Sequence, residues 1–250
     1  MKDLVTIIMP CYNANSYIKE AIESVISQSF KNWELLIIDD CSYDNGMIIA
    51  ENYSKQDDRI KVYKNDKNLG VSKTRNRGIN LAKGNFIAFL DSDDFYIKDK
   101  LQLQINFLQN NKDVDLCATS YEIVDEKSSK IKDYLINDKC LKYNDLLKEN
   151  VIGCSTVLAK SEVLKSNNFI SDFKHEDFAL WLYLIRKGYK LYTLSNITTK
   201  YRFSKGSRSF NKLIAALNRW EILRKSEKLS VIKAFWFLTV YLFNGIIKYK

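Results

Sequence analysis

The chain of 250 residues carries 39 Lys and Arg against 30 Asp and Glu, for a net charge of +9. Its apolar fraction of 46% and charged fraction of 28% are typical of a folded globular protein and exclude wholesale disorder. The 5 cysteines are widely spaced without a C-x-x-C pair, which excludes a zinc knuckle or a disulfide scaffold and predicts free thiols in a reducing compartment. The single histidine, His175, excludes a multi-histidine metal centre, so we expect the chemistry to depend on carboxylates.

Short apolar runs alternate with amphipathic segments along the first hundred residues. The runs at residues 4–9, 34–39, 60–65 and 86–91 predict buried strands, and the segments between them repeat apolar residues at helical spacing. Strands that alternate with helices are connected by right-handed crossovers and form a mainly parallel sheet with helices on its faces. The sequence therefore predicts an α/β fold of Rossmann-like type.

Three of the predicted strands run directly into loops where polar residues cluster, and the candidate site residues lie there. They are Pro10 and Tyr12 after the first, Asp39 and Asp40 at the end of the second, and Asp91, Ser92, Asp93 and Asp94 after the fourth. Ligands of parallel sheets bind beyond the carboxyl ends of the strands, so these loops predict a site. Asp91 and Asp93 point to the same side of an extended strand end and can converge on a hard divalent cation, although a solvated turn or a helix cap is the alternative.

Two phosphate-binding motifs are missing from the chain. The loop after the first strand contains no glycine, so a G-x-G-x-x-G cradle is absent, and no Walker A sequence occurs. A bound diphosphate would therefore need a cation. Nucleotidyl transfer is disfavoured as well, because it would be expected to show a Gly-rich, Lys-containing loop near the amino terminus.

The positive charge lies at the carboxyl end of the chain. Residues 1–199 hold 27 basic and 28 acidic side chains, a net charge of −1, whereas residues 200–250 hold 12 and 2, a net charge of +10. The apolar stretch 234–247 is shorter than the roughly 20 residues that span a bilayer. Its aromatic residues and flanking lysines suit a helix on an anionic membrane surface, and the alternative is a helix docked on the body or on a second subunit. Nucleic-acid binding is disfavoured because the body is neutral.

Four motifs in order resemble the family 2 glycosyltransferases of the GT-A fold, which act in bacterial teichuronic-acid, capsule and O-antigen assembly. The motifs are VTIIMPCYNANSYIKEAIESVISQSFKNWELLIIDDCSYD, NLGVSKTRNRGINLAKGNFIAFLDSDD, HEDFALWLYLIRKGY and YRFSKGS. The resemblance covers about residues 3–205. It implies a GT-A domain over residues 1–205, with a nucleotide-binding half at about 1–95 and an acceptor half at about 96–205. Residues 206–250 then form a basic amphipathic helical tail.

The resemblance also implies how the donor is bound. Pro10 and Tyr12 would line the nucleobase pocket, Asp40 would accept the uracil N3–H, and Asp39 would support the loop or the ribose. Arg75 would lie near the donor phosphates or sugar; by itself it reads as a solvated helix charge, and the Asp39–Asp40 pair by itself as a strand-ending turn.

The acidic motif after the fourth strand is implied to hold the metal. Asp93 would coordinate Mn²⁺ or Mg²⁺, Ser92 would belong to the donor site, and Asp91 would contact the ribose or donor sugar and is a second candidate ligand. Arg202, with the loop at 207–209, would close on the donor diphosphate. Tyr201 stands where the family often has a His, so a third protein ligand is not implied.

The third motif is implied to serve the acceptor. Asp177 would be the general base, Glu176 would lie on the acceptor side, Trp181 would pack beneath the acceptor sugar, and His175 would be a lip residue. The alternative is that acids in a first helical turn merely complement the helix dipole.

The resemblance, together with the basic tail, implies an inverting, metal-dependent enzyme that moves a hexosyl or N-acetylhexosaminyl group from a UDP-sugar to a polyprenyl-diphosphate-linked saccharide. We expect it in the cytoplasm, peripheral at the inner membrane face, as a homo-oligomer or in complex with other transferases, and without nucleic acid. The alternative is a non-catalytic nucleotide-binding or membrane-adaptor subunit of a polysaccharide assembly complex.

Overall fold

The computed structural model describes residues 3–203 and 212–248 and contains one large sheet covered by helices. The strands are β1 Val5–Cys11, β2 Trp33–Asp39, β3 Ile60–Lys64, β4 Phe86–Phe89, β5 Phe95–Tyr96, β6 Leu116–Val124, β7 Lys130–Tyr134, β8 Lys139–Cys140, β9 Leu158–Lys160 and β10 Leu191–Arg202. The helices are α1 Ile18–Ile26, α2 Gly46–Ser54, α3 Val71–Leu81, α4 Lys100–Asn110, α5 Tyr143–Lys148, α6 Ser161–Lys165, α7 Glu176–Arg186, α8 Lys212–Glu221 and α9 Val231–Lys248. A 3-10 turn, Cys154–Thr156, precedes β9, and a π-helical turn, Ile222–Ser226, joins α8 to the segment before α9.

The sheet is parallel in its amino-terminal half and mixed in the rest. The strand order is β3-β2-β1-β4-β9-β6-β10-β5, with β7 paired to β6 and β8 paired to β10. Strands β3, β2, β1 and β4 pair in parallel, as predicted, whereas β9 runs antiparallel to both β4 and β6. The short strand β9 therefore joins the two halves of the molecule into one sheet.

Both faces of the central strands are buried. Along β1, Ile8 belongs to the cluster beneath α3 and α7, whereas Ile7 and Met9 belong to the cluster beneath α1. This alternation follows from the two-residue period of a strand. It explains why the strands are near-continuous apolar runs, as is usual for parallel strands covered by helices on both sides.

The carboxyl-terminal helices pack onto this body. Ile222, Leu223 and Ala234 are completely buried in the same core cluster as α7. The Glu227 carboxylate accepts a hydrogen bond from the Tyr143 hydroxyl at 2.6 Å and lies 3.4 Å from the Arg186 guanidinium. One side of the predicted tail is therefore a docked element. No helix within residues 3–203 or 212–248 combines the length and apolar character needed to cross a bilayer.

Candidate active site

A cavity of about 860 Å³ lies beyond the carboxyl ends of β1, β2 and β4. Most of the residues singled out from the sequence line it. They are Pro10, Tyr12, Asp40, Arg75, Asp91, Ser92, Asp93, Glu176 and Asp177. The cavity therefore brings together the predicted donor side, from the first ninety-odd residues, and the predicted acceptor side at the start of α7.

Two interlocked loops form one end of this cavity. The backbone N–H of Asn13 donates to the Ser42 hydroxyl at 2.9 Å, and the N–H of Tyr43 donates to the Asn13 side-chain oxygen at 3.0 Å. Asn13 and Cys41 both have left-handed backbone conformations, with φ of 52° and 64°. The Tyr12 ring is 50% exposed and meets the Tyr43 ring edge-on. The loops thus hold an accessible aromatic ring at the rim of the cavity.

The two acids that follow β2 have different surroundings. The Asp39 carboxylate accepts the N–H of Ser42 at 2.9 Å and does not line the cavity, so it supports the loop, one of its two expected roles. Asp40 lines the cavity and accepts the N–H groups of Leu69 and Gly70, both at 2.8 Å. Asp40 therefore fixes the chain that leads into α3.

Arg75 connects the two sides of the cavity. Its guanidinium is almost completely buried and donates to Asp91 at 2.5 Å and to Glu176 at 2.6 Å. Burial alone would lower the pKa of Arg75, but the negative charges around it, led by Asp91, hold that pKa well above its usual value. Arg75 is thus a permanent cation that aligns one acid from each side.

The acidic turn after β4 is anchored from behind. The Ser155 hydroxyl accepts the N–H of Asp91 at 3.1 Å and donates to Asp94 at 2.6 Å. Arg202 donates its backbone N–H to Asp94 at 3.0 Å and its Nε–H to the Asp93 carbonyl at 2.9 Å. Burial, together with the charges of Asp93 and Asp91, raises the pKa of Asp94 well above its ordinary value. Asp94 is therefore an internal anchor, and Asp91 and Asp93 face the cavity.

Asp91 and Asp93, the two acids that face the cavity, suit a divalent cation that also binds the phosphates of a substrate. Mg²⁺ binds through one or two carboxylates together with substrate phosphates and water, rather than in an all-protein cage. No group of three His, Cys, Asp or Glu side chains in the described ranges is arranged to hold a metal alone. Asp91 and Asp93 also contribute to the raised pKa of Asp94, which indicates a negative potential that a cation would relieve.

Asp177 lies at the start of α7 and lines the cavity. One oxygen of its carboxylate accepts the N–H of Phe178 at 2.7 Å, and a negative charge in the first helical turn is stabilised by the helix dipole. The neighbouring Glu176 is buried against Arg75, whereas His175 is half-buried and lines the cavity. Of the two acids of the motif, Asp177 is therefore the more exposed to the cavity.

Two predicted positions are wrong. Trp181 is completely buried, with its ring edge-on to Phe169, because α7 is enclosed by core residues around most of its circumference. It cannot pack beneath an acceptor sugar. Arg202 is also buried and pairs with Glu20 and the Ser128 hydroxyl, so its side chain is turned into the body rather than toward a diphosphate. The loop at 207–209 lies outside the described residues.

The carboxyl-terminal helices contribute cavity residues that sequence reasoning missed. Ala215 and Arg219 of α8 and Tyr241 of α9 line the cavity beside Phe178. The only sequence signal was the basic charge of this segment, which does not distinguish a buried arginine from an exposed one. The helices predicted to form a separate tail thus form one wall of the site.

This architecture defines a class of protein. A parallel-strand end that presents two carboxylates, opposed across one cavity by a carboxylate at a helix start, is the arrangement of a GT-A nucleotide-sugar transferase. Residues 6–161 match glycosyl transferase family 2, and the chain belongs to that family. The protein is a glycosyltransferase, and the predicted family and fold class are confirmed.

Relatives and solved structures agree with this assignment. The teichuronic acid biosynthesis glycosyltransferase TuaG of Bacillus subtilis is 36% identical, over 99% of this chain and 98% of its own length. The Escherichia coli enzyme WfgD, a UDP-Glc:alpha-D-GlcNAc-diphosphoundecaprenol beta-1,3-glucosyltransferase, is 37% identical over 98% of this chain and 95% of its own length.

Two solved structures share the fold at low sequence identity. Residues 1–349 of Staphylococcus aureus TarS, solved in complex with UDP, superpose with a TM-score of 0.67 at 22% identity, covering 95% of this chain and 70% of that one. The Pyrobaculum calidifontis mannosyltransferase PcManGT, solved with GDP-Man and Mn²⁺, gives a TM-score of 0.70 at 15% identity, covering 97% and 74%.

Proposed function

We propose that this protein is an inverting, metal-dependent glycosyltransferase of bacterial surface polysaccharide synthesis. It would transfer a sugar from a UDP-sugar to a saccharide linked to a polyprenyl diphosphate. The observation that carries the proposal is that Asp91 and Asp93 share one cavity with Asp177, with Arg75 bridging the two sides. The name of WfgD, which specifies UDP-Glc and GlcNAc-diphosphoundecaprenol, supports both substrate classes.

The donor nucleobase would occupy the end of the cavity that the two interlocked loops form. The half-exposed Tyr12 offers a ring face for stacking, and Pro10 lines the same part of the cavity. A carboxylate has about four acceptor sites, and Asp40 accepts from the Asn65 side-chain amide as well as from Leu69 and Gly70, so it retains capacity for one imide N–H. This chemistry favours uracil, and the UDP complexes of TarS are consistent with it.

Asp93, assisted by Asp91, would hold Mn²⁺ or Mg²⁺ at the donor diphosphate, beside Ser92. When bound, the metal supplies Lewis-acid stabilisation of the negative charge on the leaving nucleotide. The protein's own contribution is a rigid turn, because Ser155 and Arg202 fix the backbone that carries both acids.

Asp177 would act as the general base. In a direct displacement, the acceptor hydroxyl oxygen forms a bond to the anomeric carbon while the bond from that carbon to the β-phosphate oxygen breaks. The hydroxyl proton passes to the Asp177 carboxylate, and UDP carries away the bonding electron pair. Attack from the face opposite UDP inverts the configuration of the anomeric carbon. Glu176 is not available for this role, since Arg75 holds it in the interior.

The exposed side of the carboxyl-terminal helices would lie on the anionic inner face of the membrane. Ile232, Phe235, Trp236 and Phe243 of α9 are between 52% and 82% exposed. The exposed Lys233 lies on the same helix. Apolar side chains combined with basic ones are what a helix at the headgroup layer requires. The enzyme would therefore work as a peripheral protein where its lipid-linked acceptor is anchored.

A transfer assay tests this proposal. Purified protein is mixed with a panel of UDP-sugars, Mn²⁺ and N-acetylglucosaminyl diphosphate on a short alkyl chain, and release of UDP is measured. We expect transfer with one donor, and a loss of about 100-fold or more in kcat for Asp93→Asn and for Asp177→Asn. Asp113→Asn is the matched control, since Asp113 is an exposed aspartate paired with Lys190. Full activity in either site variant would contradict the assigned roles.

A further inference from the structure

Arg219 is a buried cation that forms no ion pair with a carboxylate in the described part of the chain. Three arginines are almost fully buried in the described part of the chain, namely Arg75, Arg202 and Arg219. The first pairs with Asp91 and Glu176 and the second with Glu20. Arg219 forms no such ion pair with a described residue, and the carboxylate that acts on it, Glu149, does so only as a weak electrostatic contribution that does not offset the burial. A buried charge is costly unless it is paired, so the missing counterion needs an explanation.

The surroundings of Arg219 hold its guanidinium in one orientation. The rings of Phe178 and Tyr241 lie 4.4 Å and 4.3 Å from it. One terminal nitrogen donates to the carbonyls of Leu146 and Leu147 at the end of α5, at 3.0 Å and 2.7 Å. Its Nε–H is buried without a hydrogen-bond partner, and the residue lines the cavity. Burial lowers the pKa of Arg219 to about 10, which leaves it charged at neutral pH.

The position of Arg219 in the cavity indicates which anion it would bind. Arg219 and Asp177 line the same cavity, and Phe178, whose ring packs on the guanidinium, directly follows Asp177 at the start of α7. The donor diphosphate belongs at Asp91 and Asp93, at the end of β4. Tyr241, the other ring beside the guanidinium, belongs to the helix whose opposite side is exposed. An anion that enters from that side and ends near Asp177 is the diphosphate of a lipid-linked acceptor.

We infer that Arg219, held between Phe178 and Tyr241, is the binding residue for the diphosphate of the acceptor. This inference rests on the proposed function and deepens it. Arginine suits the role because its planar fork hydrogen-bonds phosphate oxygens while its faces stack on aromatic rings. The carboxyl-terminal helices then select acceptors that carry a diphosphate, in addition to packing on the body.

Steady-state kinetics with two water-soluble acceptors test the inference. One is N-acetylglucosaminyl diphosphate on a short alkyl chain, and the other is the neutral alkyl N-acetylglucosaminide. We expect Arg219→Gln to raise KM for the diphosphate acceptor about tenfold or more, the usual loss for a charge-assisted hydrogen bond. The KM for the UDP-sugar and for the neutral acceptor should stay within about twofold. Arg219→Lys, which retains the charge, should lose less.

The matched control is Lys225→Gln, which removes an exposed cation from the adjacent π-helical turn and should change neither acceptor KM. An equal loss with both acceptors would reduce Arg219 to a structural role and overturn the inference. A raised KM for the UDP-sugar alone would assign Arg219 to the donor diphosphate and overturn it as well.

A binding measurement separates this inference from the proposed function. With the donor site filled by UDP and Mn²⁺, an alkyl diphosphate without a sugar should raise the melting temperature of the unaltered protein, and should not raise that of Arg219→Gln. This measurement needs no turnover. If the unaltered protein binds the alkyl diphosphate but transfers no sugar, the proposed function fails and the subsite stands. If both proteins respond equally, the subsite fails.

Discussion

The hydroxyl of Ser155 holds the acidic turn of the site in place. It contacts the backbone of Asp91 and the carboxyl of Asp94, which is 2% exposed. We predict that Ser155→Ala lowers the free energy of unfolding by about 1 to 3 kcal/mol, because it removes a partner from a buried polar group. The loosened turn should also raise, by several-fold, the Mn²⁺ concentration needed for half-maximal activity. Urea unfolding and a metal titration measure the two effects.

Ser161 provides the matched control for this prediction. Its hydroxyl is also buried, but it has no hydrogen-bond partner among the described residues. Ser161→Ala should therefore leave stability unchanged or slightly improved, with no shift in the metal titration. Equal effects of the two substitutions would show that the Ser155 hydrogen bonds do not position the acids.

The buried Lys100 should make the free energy of unfolding depend on pH. Burial lowers its pKa from the usual 10.5 to about 7, so between these values the unfolded chain binds a proton that the folded protein does not. The free energy of unfolding should rise with pH from about 7 to 9, by up to about 1.4 kcal/mol per pH unit. We expect Lys100→Met to remove this rise, whereas the exposed Lys73→Met should keep it. Chemical unfolding at several pH values tests this, and an unchanged slope in Lys100→Met would contradict it.

The residues of the site differ in how far the sequence could predict them. Asp91, Asp93 and Asp177 line the cavity as predicted, because their positions follow from the end of one strand and the start of one helix. Trp181 and Arg202 could not be placed, because their surroundings depend on distant elements. Arg202, for example, contacts the turn that follows β6, more than seventy residues earlier in the chain.

At the scale of elements, the docking of α3 positions Arg75. Gly78 lies one turn further along this helix, and a Cβ atom there would come within 2.4 Å of the Ile8 side chain on β1. We predict that Gly78→Ala lowers stability by about 1 to 3 kcal/mol, because overpacking against a stiff β-branched residue outweighs the helix propensity of alanine. Activity should fall as well, since α3 moves Arg75 with it.

Gly153 offers a comparison with the same chemical change. A Cβ atom there would meet its nearest neighbour at 3.6 Å, an ordinary contact, and its φ of −82° suits any residue. Gly153→Ala should therefore leave the free energy of unfolding nearly unchanged. A loss similar to that of Gly78→Ala would contradict the close contact between α3 and β1 as the cause.

Short apolar runs that alternate with amphipathic segments made the amino-terminal elements predictable. Strands β1 to β4 lie within a few residues of their predicted positions. Strands β1, β2 and β4 are buried on both faces, so their pattern needs no distant partner, whereas β3 is an edge strand in which only Ile60 is buried. The later strands were not predicted individually. Strands β5 and β8 are 2 residues long, and β10 has two register shifts against β6, so local sequence carries little of their pattern.

At the scale of the whole molecule, the basic carboxyl-terminal segment forms helices with one buried side and one exposed side. Its buried side, which includes Ala234, completes the core, and Tyr241 completes the cavity. Its exposed side carries Phe235 and Trp236. Composition alone separates residues 200–250 as a unit, but which side of a helix packs depends on the shape of the body. The membrane and docking alternatives raised by the sequence therefore concern opposite sides of the same helices.

This division predicts different outcomes for two alterations of α9. The surface variant Ile232→Ser/Phe235→Ser should keep its melting temperature and its turnover of a water-soluble acceptor, but lose binding to phosphatidylglycerol vesicles in sedimentation, since these side chains are 82% and 64% exposed and contribute mainly exposed apolar area. Truncation after Lys228 should abolish vesicle binding and acceptor turnover and lower the melting temperature, because it also removes Ala234 from the core and Tyr241 from the cavity. UDP binding should survive both alterations. If the surface variant still binds vesicles, or instead converts a dimer to a monomer, the exposed side is not the membrane contact.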